Sequence, residues 1–183
     1  MSTQEERWKP AVTVAAVIEQ DGRYLLVEEE TPEGLQLNNP AGHLDPGESP
    51  LEGVVRETLE ETARDFVPEA LLGLYMARFV RPQKQLGSEL LTPFDQSNPQ
   101  GNLDVTYIRL AFSGRVGGEI AGRALDQGIH RTLWLTIDEV RASAARHRSP
   151  LVLRCIEDHL AGKRLPLDAI HIDPSLYAPL IKG

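Results

Sequence analysis

Three glutamates, Glu57, Glu60 and Glu61, fall close together in the sequence. At about 100° of rotation per residue, a helix would place Glu60 about 60° to one side of Glu57 and Glu61 about 40° to the other. The three carboxylates would share one narrow face, where like charges four residues apart repel. A hard divalent cation with oxygen ligands offsets this repulsion best. The spacing therefore predicts a metal site, and an ordinary solvated acidic face is the alternative.

The residues around the glutamates predict where this helix begins and how it packs. Ser49 can cap the first amides, Pro50 suits the first helical position, and Glu52 completes a capping box. The side away from the glutamates is predicted to face the core. Its members are Leu51, Val55, Leu59, Thr62 and Phe66.

Two further residues on the acidic side of the helix suggest what surrounds the glutamates. Gly53 lies one turn before Glu57, and a glycine inside a helix costs ~1 kcal/mol relative to alanine. This cost indicates that something bulky occupies the space beside it. Arg56 lies one turn before Glu60, so the two side chains can form an ion pair.

The wider spacing of these residues resembles a known family motif. Gly42, five residues, Glu48, seven residues, Arg56-Glu57, two residues and Glu60-Glu61 resemble the Nudix box of the Nudix hydrolases. The family pattern is G-x5-E-x7-R-E-U-x-E-E-x-G-U, where U is a bulky apolar residue. Six matching positions over this distance are far more specific than a lone glycine motif.

The sequence departs from the family pattern at three positions, Thr58, Ala63 and Arg64. The pattern has apolar residues at the first and last of these, and glycine at the second. Glycine would end the helix with a positive φ, which alanine adopts only at a penalty. We therefore expect the helix to continue to about Asp65, with Phe66 or Val67 taking the last apolar role.

Segments outside the box resemble the bacterial NudJ phosphatase branch of the family. The resemblance implies an α/β fold, a Nudix-type α/β/α sandwich with a mixed sheet. It also implies a phosphatase that releases orthophosphate from nucleoside tri- and diphosphates and from thiamine-pathway pyrophosphates. The matching segments are 12–17, 26–29, 40–44, 148–152 and 162–167.

Clustered carboxylates suit Mg²⁺ or Mn²⁺ better than zinc, which prefers histidine or cysteine. The Nudix resemblance implies that water attacks phosphorus and cleaves a phosphoanhydride. Glu57 and Glu61 are the expected principal metal ligands, and Glu60 is a third ligand or positions water. Glu61 is also expected to share the general-base role, and Arg56 to orient a glutamate. The Gly42 carbonyl could add a metal ligand. Glu48 is expected either to anchor the loop or to contact an outer metal.

Candidates for substrate contact are weaker. His43 follows the glycine of the box, and Arg78, Phe79 and Tyr107 could grip a phosphate or stack on a ring, although strand packing is the commoner role for such residues. Some family members add a later carboxylate from a loop. The similar segment here has Gly128 at the expected position, and Asp126 is a poor substitute.

Composition limits the classes of protein and partner. The 183-residue chain carries a formal net charge of −8, which argues against long nucleic acid. It has a single cysteine, Cys155, and no apolar run near the ~18 residues that span a bilayer. With a polar start that shows no signal peptide, these features predict a cytoplasmic protein that binds no membrane. Small phosphorylated substrates, which the Nudix resemblance implies, are compatible with the negative charge because a metal ion can screen the acidic site. Monomer and homodimer both remain open.

The pattern of apolar and turn residues predicts a flexible segment 1–9 and one domain over 10–183. An irregular segment, 81–104, is either a lid or a surface insertion. The predicted strands are 11–18, 24–29, 71–80, 105–112 and 133–135, and the further predicted helices are 137–147 and 150–161, the last capped by Ser149 and closed by Gly162.

Other functions stay open at this point. The runner-up is a Nudix pyrophosphatase for another diphosphate, such as a nucleotide sugar or a dinucleoside polyphosphate. A nucleotide-binding sensor of the same fold is a different class, which retention of the four charged box residues disfavours. An isomerase on this fold would use a reactive cysteine near the site, and Cys155 is expected to pack in the core.

Overall fold

The structure, a computed structural model, describes residues 8–82 and 102–178. Within them a seven-stranded sheet has a main path in the order β3, β2, β1, β6, β5, with β4 paired to β1 and β7 to β2. The strands are β1 Ala11–Gln20, β2 Arg23–Thr31, β3 Gly34–Asn38, β4 Ala41–His43, β5 Phe66–Pro82, β6 Asn102–Val116 and β7 Ile129–Thr136. The helices are α1 Pro50–Thr62, α2 Ile137–Ala142 and α3 Leu151–Leu160.

The central strand β1 determines the layers of the fold. It pairs parallel to β6 and antiparallel to β4, so the sheet is mixed. Its successive side chains point to opposite faces, as strand geometry requires. Val14 and Ala16 pack with α1, whereas Ala15 and Val17 pack with α2 and α3. The predicted α/β/α sandwich is confirmed.

The predicted hairpin between β1 and β2 is also present. Asp21 and Gly22 have φ values of 52° and 74°. Two consecutive residues with positive φ form the tight turn that matches the twist of paired strands. The Asp-Gly pair therefore sets the register in which Gln20 faces Arg23.

Several element boundaries differ from the predictions. Strands β3 and β4 were not predicted, because they have only five and three residues. Strands β5 and β6 extend well beyond the predicted segments. Helix α2 ends at Ala142 instead of residue 147, because the Ser143 hydroxyl donates to the Val140 carbonyl at 2.9 Å and competes with further helical pairing.

The other predictions for the C-terminal half hold in outline. Helix α3 begins at Leu151, one residue later than predicted, and the Ser149 hydroxyl accepts from the Leu151 amide at 3.2 Å. Cys155 is fully buried in the core between α3 and the sheet, as expected. No helix in the described ranges is long and apolar enough to cross a membrane. Most of the irregular segment 81–104 and of the N-terminal segment 1–9 lies outside the described residues.

Candidate active site

Helix α1 begins as the sequence predicts and ends earlier. The Ser49 hydroxyl accepts from the Glu52 amide at 3.3 Å, and the Glu52 carboxylate accepts from the Ser49 amide at 2.7 Å. Ala63 adopts a φ of 52° and caps the other end, so the expected extension to Asp65 is wrong. The left-handed conformation costs alanine about 1 kcal/mol. Burial of Phe66, the first residue of β5, offsets this cost, because the turn at Ala63 lets the chain enter the strand.

The buried face of α1 also differs from the prediction. Thr62 is completely buried, as predicted, but so are Val54 and Thr58, which were not predicted to face the core. Leu51 and Val55 are only partly covered. Thr58 tolerates the core because its hydroxyl donates to the Val54 carbonyl at 2.7 Å. The packed stripe is therefore rotated toward the glutamates relative to the predicted one.

This rotation buries two of the three glutamates. Glu57 and Glu61 are only 8% and 6% exposed, whereas Glu60 is partly exposed. A solvated acidic face does not describe the first two. The side chain of Glu61 accepts a hydrogen bond from the backbone amide of Ala41 at 2.8 Å. Helix α1 thus presses its carboxylates against β4.

Glycine at position 42 makes this close contact possible. A Cβ atom at Gly42 would lie only 2.1 Å from the Cδ atom of Glu57. Any side chain there would displace the carboxylate. The glycine of the box is therefore required for space beside Glu57.

Burial raises the pKa of both glutamates. It raises the pKa of Glu61 to about 9, against the opposing effect of the Ala41 amide, and the charges of Glu57, Glu29 and Asp126 add to the rise. Burial also raises the pKa of Glu57, and Arg56 opposes it. A buried carboxylate with too little positive charge nearby is stabilised by a proton or a cation.

Arg56 organises the acidic side of α1. Its guanidinium contacts the carboxylates of Glu48, Glu57 and Glu60 at 2.6, 2.9 and 3.0 Å. It also donates to the His43 carbonyl at 3.0 Å, so it joins the helix to the loop that follows β4. The hydrogen bonds to Glu48 are the main reason that the pKa of Arg56 is raised. The predicted pair with Glu60 is confirmed as a contact.

Glu48 holds the loop between β4 and α1. Its carboxylate accepts from the Asp45 amide at 2.7 Å in addition to Arg56. A Cβ atom at Gly53 would lie 2.9 Å from Oε1 of Glu48 and 3.0 Å from Cδ1 of Leu44. The space that Gly53 was predicted to leave is therefore taken by this loop.

The donor atoms suit a hard divalent cation, although they face other partners here. Across residues 8–82 and 102–178 no three acidic, histidine or cysteine side chains stand close enough together to hold a metal ion. Glu57 and Glu60 are turned to Arg56, and Glu61 to the Ala41 amide. The buried carboxylate oxygens fit Mg²⁺ or Mn²⁺ chemically. To bind the ion, the carboxylates would have to give up their contacts with Arg56 and with the Ala41 amide.

A cavity of about 350 Å³ lies beside the box, bordered by Gly42. Three predicted contact residues, His43, Phe79 and Tyr107, line it together. The Tyr107 ring lies 6.0 Å from His43 and 5.7 Å from Phe79, centroid to centroid. The cavity therefore has an aromatic wall.

Arg78 does not reach this cavity, contrary to the prediction. Its side chain is exposed and pairs with Asp104 across the two strands. Successive residues of a strand point to opposite faces, so Arg78 and its neighbour Phe79 cannot both face the cavity.

Sequence reasoning missed the polar side of the cavity, which consists of Thr13, Glu29, Asn38, Arg109 and Arg148. Arg109 did carry a signal, because a charged residue interrupts the apolar strand Ile108–Phe112. Glu29 gave a weaker signal, since it is the middle one of three consecutive strand glutamates, which look like an ordinary acidic run. Only the fold shows that it faces the cavity while Glu28 does not.

The loop before β7 approaches the end of α1. The Asp126 amide donates to the Glu60 carbonyl at 2.9 Å, and the Asp126 side chain is exposed. The carbonyl of Gly128 accepts from the Glu30 amide at 2.8 Å, so this glycine serves the backbone of β2. Asp126 therefore stays near the glutamates as the weak substitute that the sequence suggested.

The sequence of residues 7–155 matches the family described as the NUDIX domain. The chain belongs to the Nudix family. It is 30% identical to the Escherichia coli protein named Phosphatase NudJ over 163 residues, which are 89% of this chain and 92% of that protein. As a Nudix protein with this similarity, it is a hydrolase that acts on phosphorus-containing anhydrides.

Solved Nudix structures share the fold. A NUDIX hydrolase from Nitrosomonas europaea is 47% identical with a TM-score of 0.72, covering 90% of this chain and 98% of that one. A MutT NUDIX hydrolase from Burkholderia pseudomallei is 20% identical with a TM-score of 0.58, covering 82% and 98%. The second likeness concerns the fold alone. Nudix hydrolases in general use divalent metal ions, which agrees with the donor set of α1.

Proposed function

We propose that this Nudix hydrolase is a Mg²⁺- or Mn²⁺-dependent phosphatase. Its substrates are nucleoside tri- and diphosphates and thiamine-pathway pyrophosphates, and its product is orthophosphate. The observation that carries the proposal is the pair of buried carboxylates, Glu57 and Glu61, next to a cavity of about 350 Å³. Similarity to the phosphatase from Escherichia coli supports the choice of reaction.

Each acidic residue has a role in this proposal. Glu57 and Glu61 would hold the cation, with Glu60 as a third ligand and the Gly42 carbonyl as a further one. When bound, the cation neutralises charge on the phosphoryl oxygens and makes water more acidic. Arg56 orients Glu57 and Glu60 through the contacts it already makes. With the cation bound, which favours the ionised carboxylate, Glu61 would share the role of general base toward the attacking water, and Glu48 keeps the loop in place.

The cavity supports a substrate with one ring system. Ligand cavities usually measure about 300 to 1,000 Å³, so this one is near the small end. A mononucleotide or a thiamine-type ring fits this size better than two nucleosides do. His43, Phe79 and Tyr107 then contact the ring, while the phosphates extend past Gly42 to α1.

A substrate panel tests the proposal. Purified enzyme with Mg²⁺ or Mn²⁺ is given nucleoside triphosphates, nucleoside diphosphates, thiamine pyrophosphate and ADP-ribose, and orthophosphate and pyrophosphate are measured separately. Orthophosphate from the first three classes, lost in Glu61→Gln, is the expected result. Glu69→Gln, which changes an exposed glutamate of β5, is the matched control.

Other outcomes identify the alternatives. Activity confined to ADP-ribose, or release of pyrophosphate, would keep the Nudix reaction and discard the phosphatase proposal. Nucleotide binding without turnover for every substrate would favour a sensor. Full activity of Glu61→Gln would remove Glu61 from the mechanism.

A further inference from the structure

Arg109 is a buried charge whose hydrogen bonds are incomplete. It lies on β6 in the wall of the cavity and is only 8% exposed. Its Nη2 atom donates to Oδ1 of Asn38 at 3.5 Å, the long limit for such a bond. Its Nε and Nη1 atoms are buried and have no hydrogen-bond partner among residues 8–82 and 102–178.

An unpartnered buried guanidinium does not stabilise the fold. A buried charged donor without a partner is penalised, and an apolar side chain of similar size is often tolerated as well or better. Burial lowers the pKa of Arg109, but a guanidinium keeps its charge in proteins. The residue is therefore placed to meet hydrogen-bond acceptors that the described part of the chain does not supply.

The other walls of the cavity indicate what kind of molecule carries those acceptors. Phe79, Tyr107 and Leu151 give it apolar and aromatic surface, whereas Glu29 and Arg109 give it a polar side. A flat heterocycle matches this division, because its faces are apolar and its edge is polar.

We propose that the cavity holds the heterocyclic ring of the substrate and that Arg109 determines specificity by donating to carbonyl oxygens or ring nitrogens on its edge. Glu29, beside it, accepts from an amino or N–H group of the same edge. This inference rests on the proposed function, since the ring belongs to the molecule whose phosphates face α1.

A phosphate is the other group that Arg109 could bind. Arg148 and the first turn of α3 also border the cavity and would favour an anion. However, Arg148 already pairs with Glu29 at 3.3 Å, and the charges of Glu29 and Glu61 act on Arg109. These two carboxylates would repel a phosphate, whereas a neutral ring edge avoids that repulsion.

Binding of nucleosides without phosphate tests the ring directly. Titration calorimetry measures guanosine and cytidine with wild type, Arg109→Met and Arg115→Met. Arg115 lies on the same strand with its side chain exposed, so it controls for the change of charge. Arg109→Met should weaken nucleoside binding about 10- to 100-fold, as loss of a charged hydrogen bond predicts, and Arg115→Met should bind like wild type.

Kinetics separate ring recognition from phosphate binding. For nucleoside triphosphates, Arg109→Met should raise KM about 10- to 100-fold. For tripolyphosphate, which has no ring, kcat/KM should stay at the wild-type value. An equal loss with tripolyphosphate would assign Arg109 to phosphate and overturn the proposal, as would unchanged kinetics with both substrates.

Two further results separate failure of the ring proposal from failure of the proposed phosphatase function. If wild type binds no nucleoside, the ring proposal fails even when Glu61-dependent phosphate release remains. If phosphate release is absent, the proposed function fails, and the nucleoside titrations still decide the role of Arg109.

The Arg109→Met protein should melt at or above the wild-type temperature. If it unfolds, Arg109→Lys, which keeps the charge and loses the planar fork, takes its place and should bind nucleosides more weakly.

Discussion

Two buried carboxylates of this protein have opposite surroundings. Glu28, on β2, is 1% exposed and is held by Arg131 at 2.7 Å and by Arg146. Glu61, on α1, is 6% exposed and receives one described hydrogen bond, from the Ala41 amide. The hydrogen bond from Arg131 is the main reason that the pKa of Glu28 is lowered. Burial raises the pKa of Glu61 to about 9.

This difference separates a structural charge from a functional one. A buried carboxylate with two cationic partners is satisfied within the fold, and it needs nothing from outside. A buried carboxylate with one neutral partner keeps an unmet demand for positive charge. The same reasoning applies to Arg109, whose demand has the opposite sign. Burial alone does not identify a site, whereas burial without partners does.

The largest effect expected from this contrast is that of Glu61→Gln. Turnover should fall about 10²- to 10⁴-fold, the usual contribution of a general base. The melting temperature of the metal-free protein should stay equal or rise, because burial already disfavours the charged form of Glu61 and the neutral amide can still accept from Ala41. Phosphate release and thermal melting in EDTA measure the two quantities. A marked fall in the melting temperature would make Glu61 a structural residue like Glu28.

Gly42→Ala should have the next largest effect. The added methyl group would overlap the Glu57 carboxylate, since the Cβ position lies 2.1 Å from its Cδ atom. Activity should drop about 10- to 100-fold, with a higher Mg²⁺ concentration needed for half-maximal rate, because a displaced positioning group has such effects. Gly117→Ala, where a Cβ atom meets nothing within 4 Å, is the matched control. Equal metal titrations for the two variants would count against Glu57 as a ligand.

These sites differ in how far the sequence predicts them. The spacing of Arg56 and the three glutamates predicts the helix and the pairing of Arg56 with Glu60, while Ser49, Pro50 and Glu52 predict its cap. The sequence does not predict that Val54 and Thr58 join Thr62 on the buried face, because Thr58 looks polar until its hydroxyl bonds to the helix backbone. Ala63 ends the helix against its own propensity, because tertiary packing of Phe66 dominates.

The cavity was less predictable than the helix. Its walls come from six strands, β1 to β6, and from the start of α3, so residues far apart in sequence meet there. Adjacent residues such as Glu28 and Glu29 differ only in which face of β2 they occupy. The alternation rule says that they diverge, but not which of them faces two arginines.

Removing both partners of Glu28 should make it resemble Glu61. The double variant Arg131→Gln/Arg146→Gln leaves a buried carboxylate unpaired, which costs about 3 kcal/mol of unfolding free energy. The pKa of Glu28 should then rise instead of being lowered. Urea unfolding of the single and double variants measures the coupling, and Arg115→Gln controls for loss of a surface arginine. Strictly additive small effects would show that Glu28 does not depend on these arginines.

Glu28→Gln should have the smallest effect, about 2 kcal/mol, because it leaves two half-exposed arginines that water can solvate. Phosphate release by the folded variant should be unchanged.

The pH dependence of stability tests the same contact. The pKa of Glu28 is lowered in the folded state, so its contribution to stability is present above the unfolded pKa of about 4.3 and is lost as pH falls through the folded pKa. Wild type should therefore lose more stability than the variant between neutral pH and about pH 3, in urea titrations at each pH. Parallel curves would mean that Arg131 and Arg146 do not hold Glu28 ionised, and the contrast with Glu61 would then rest on burial alone.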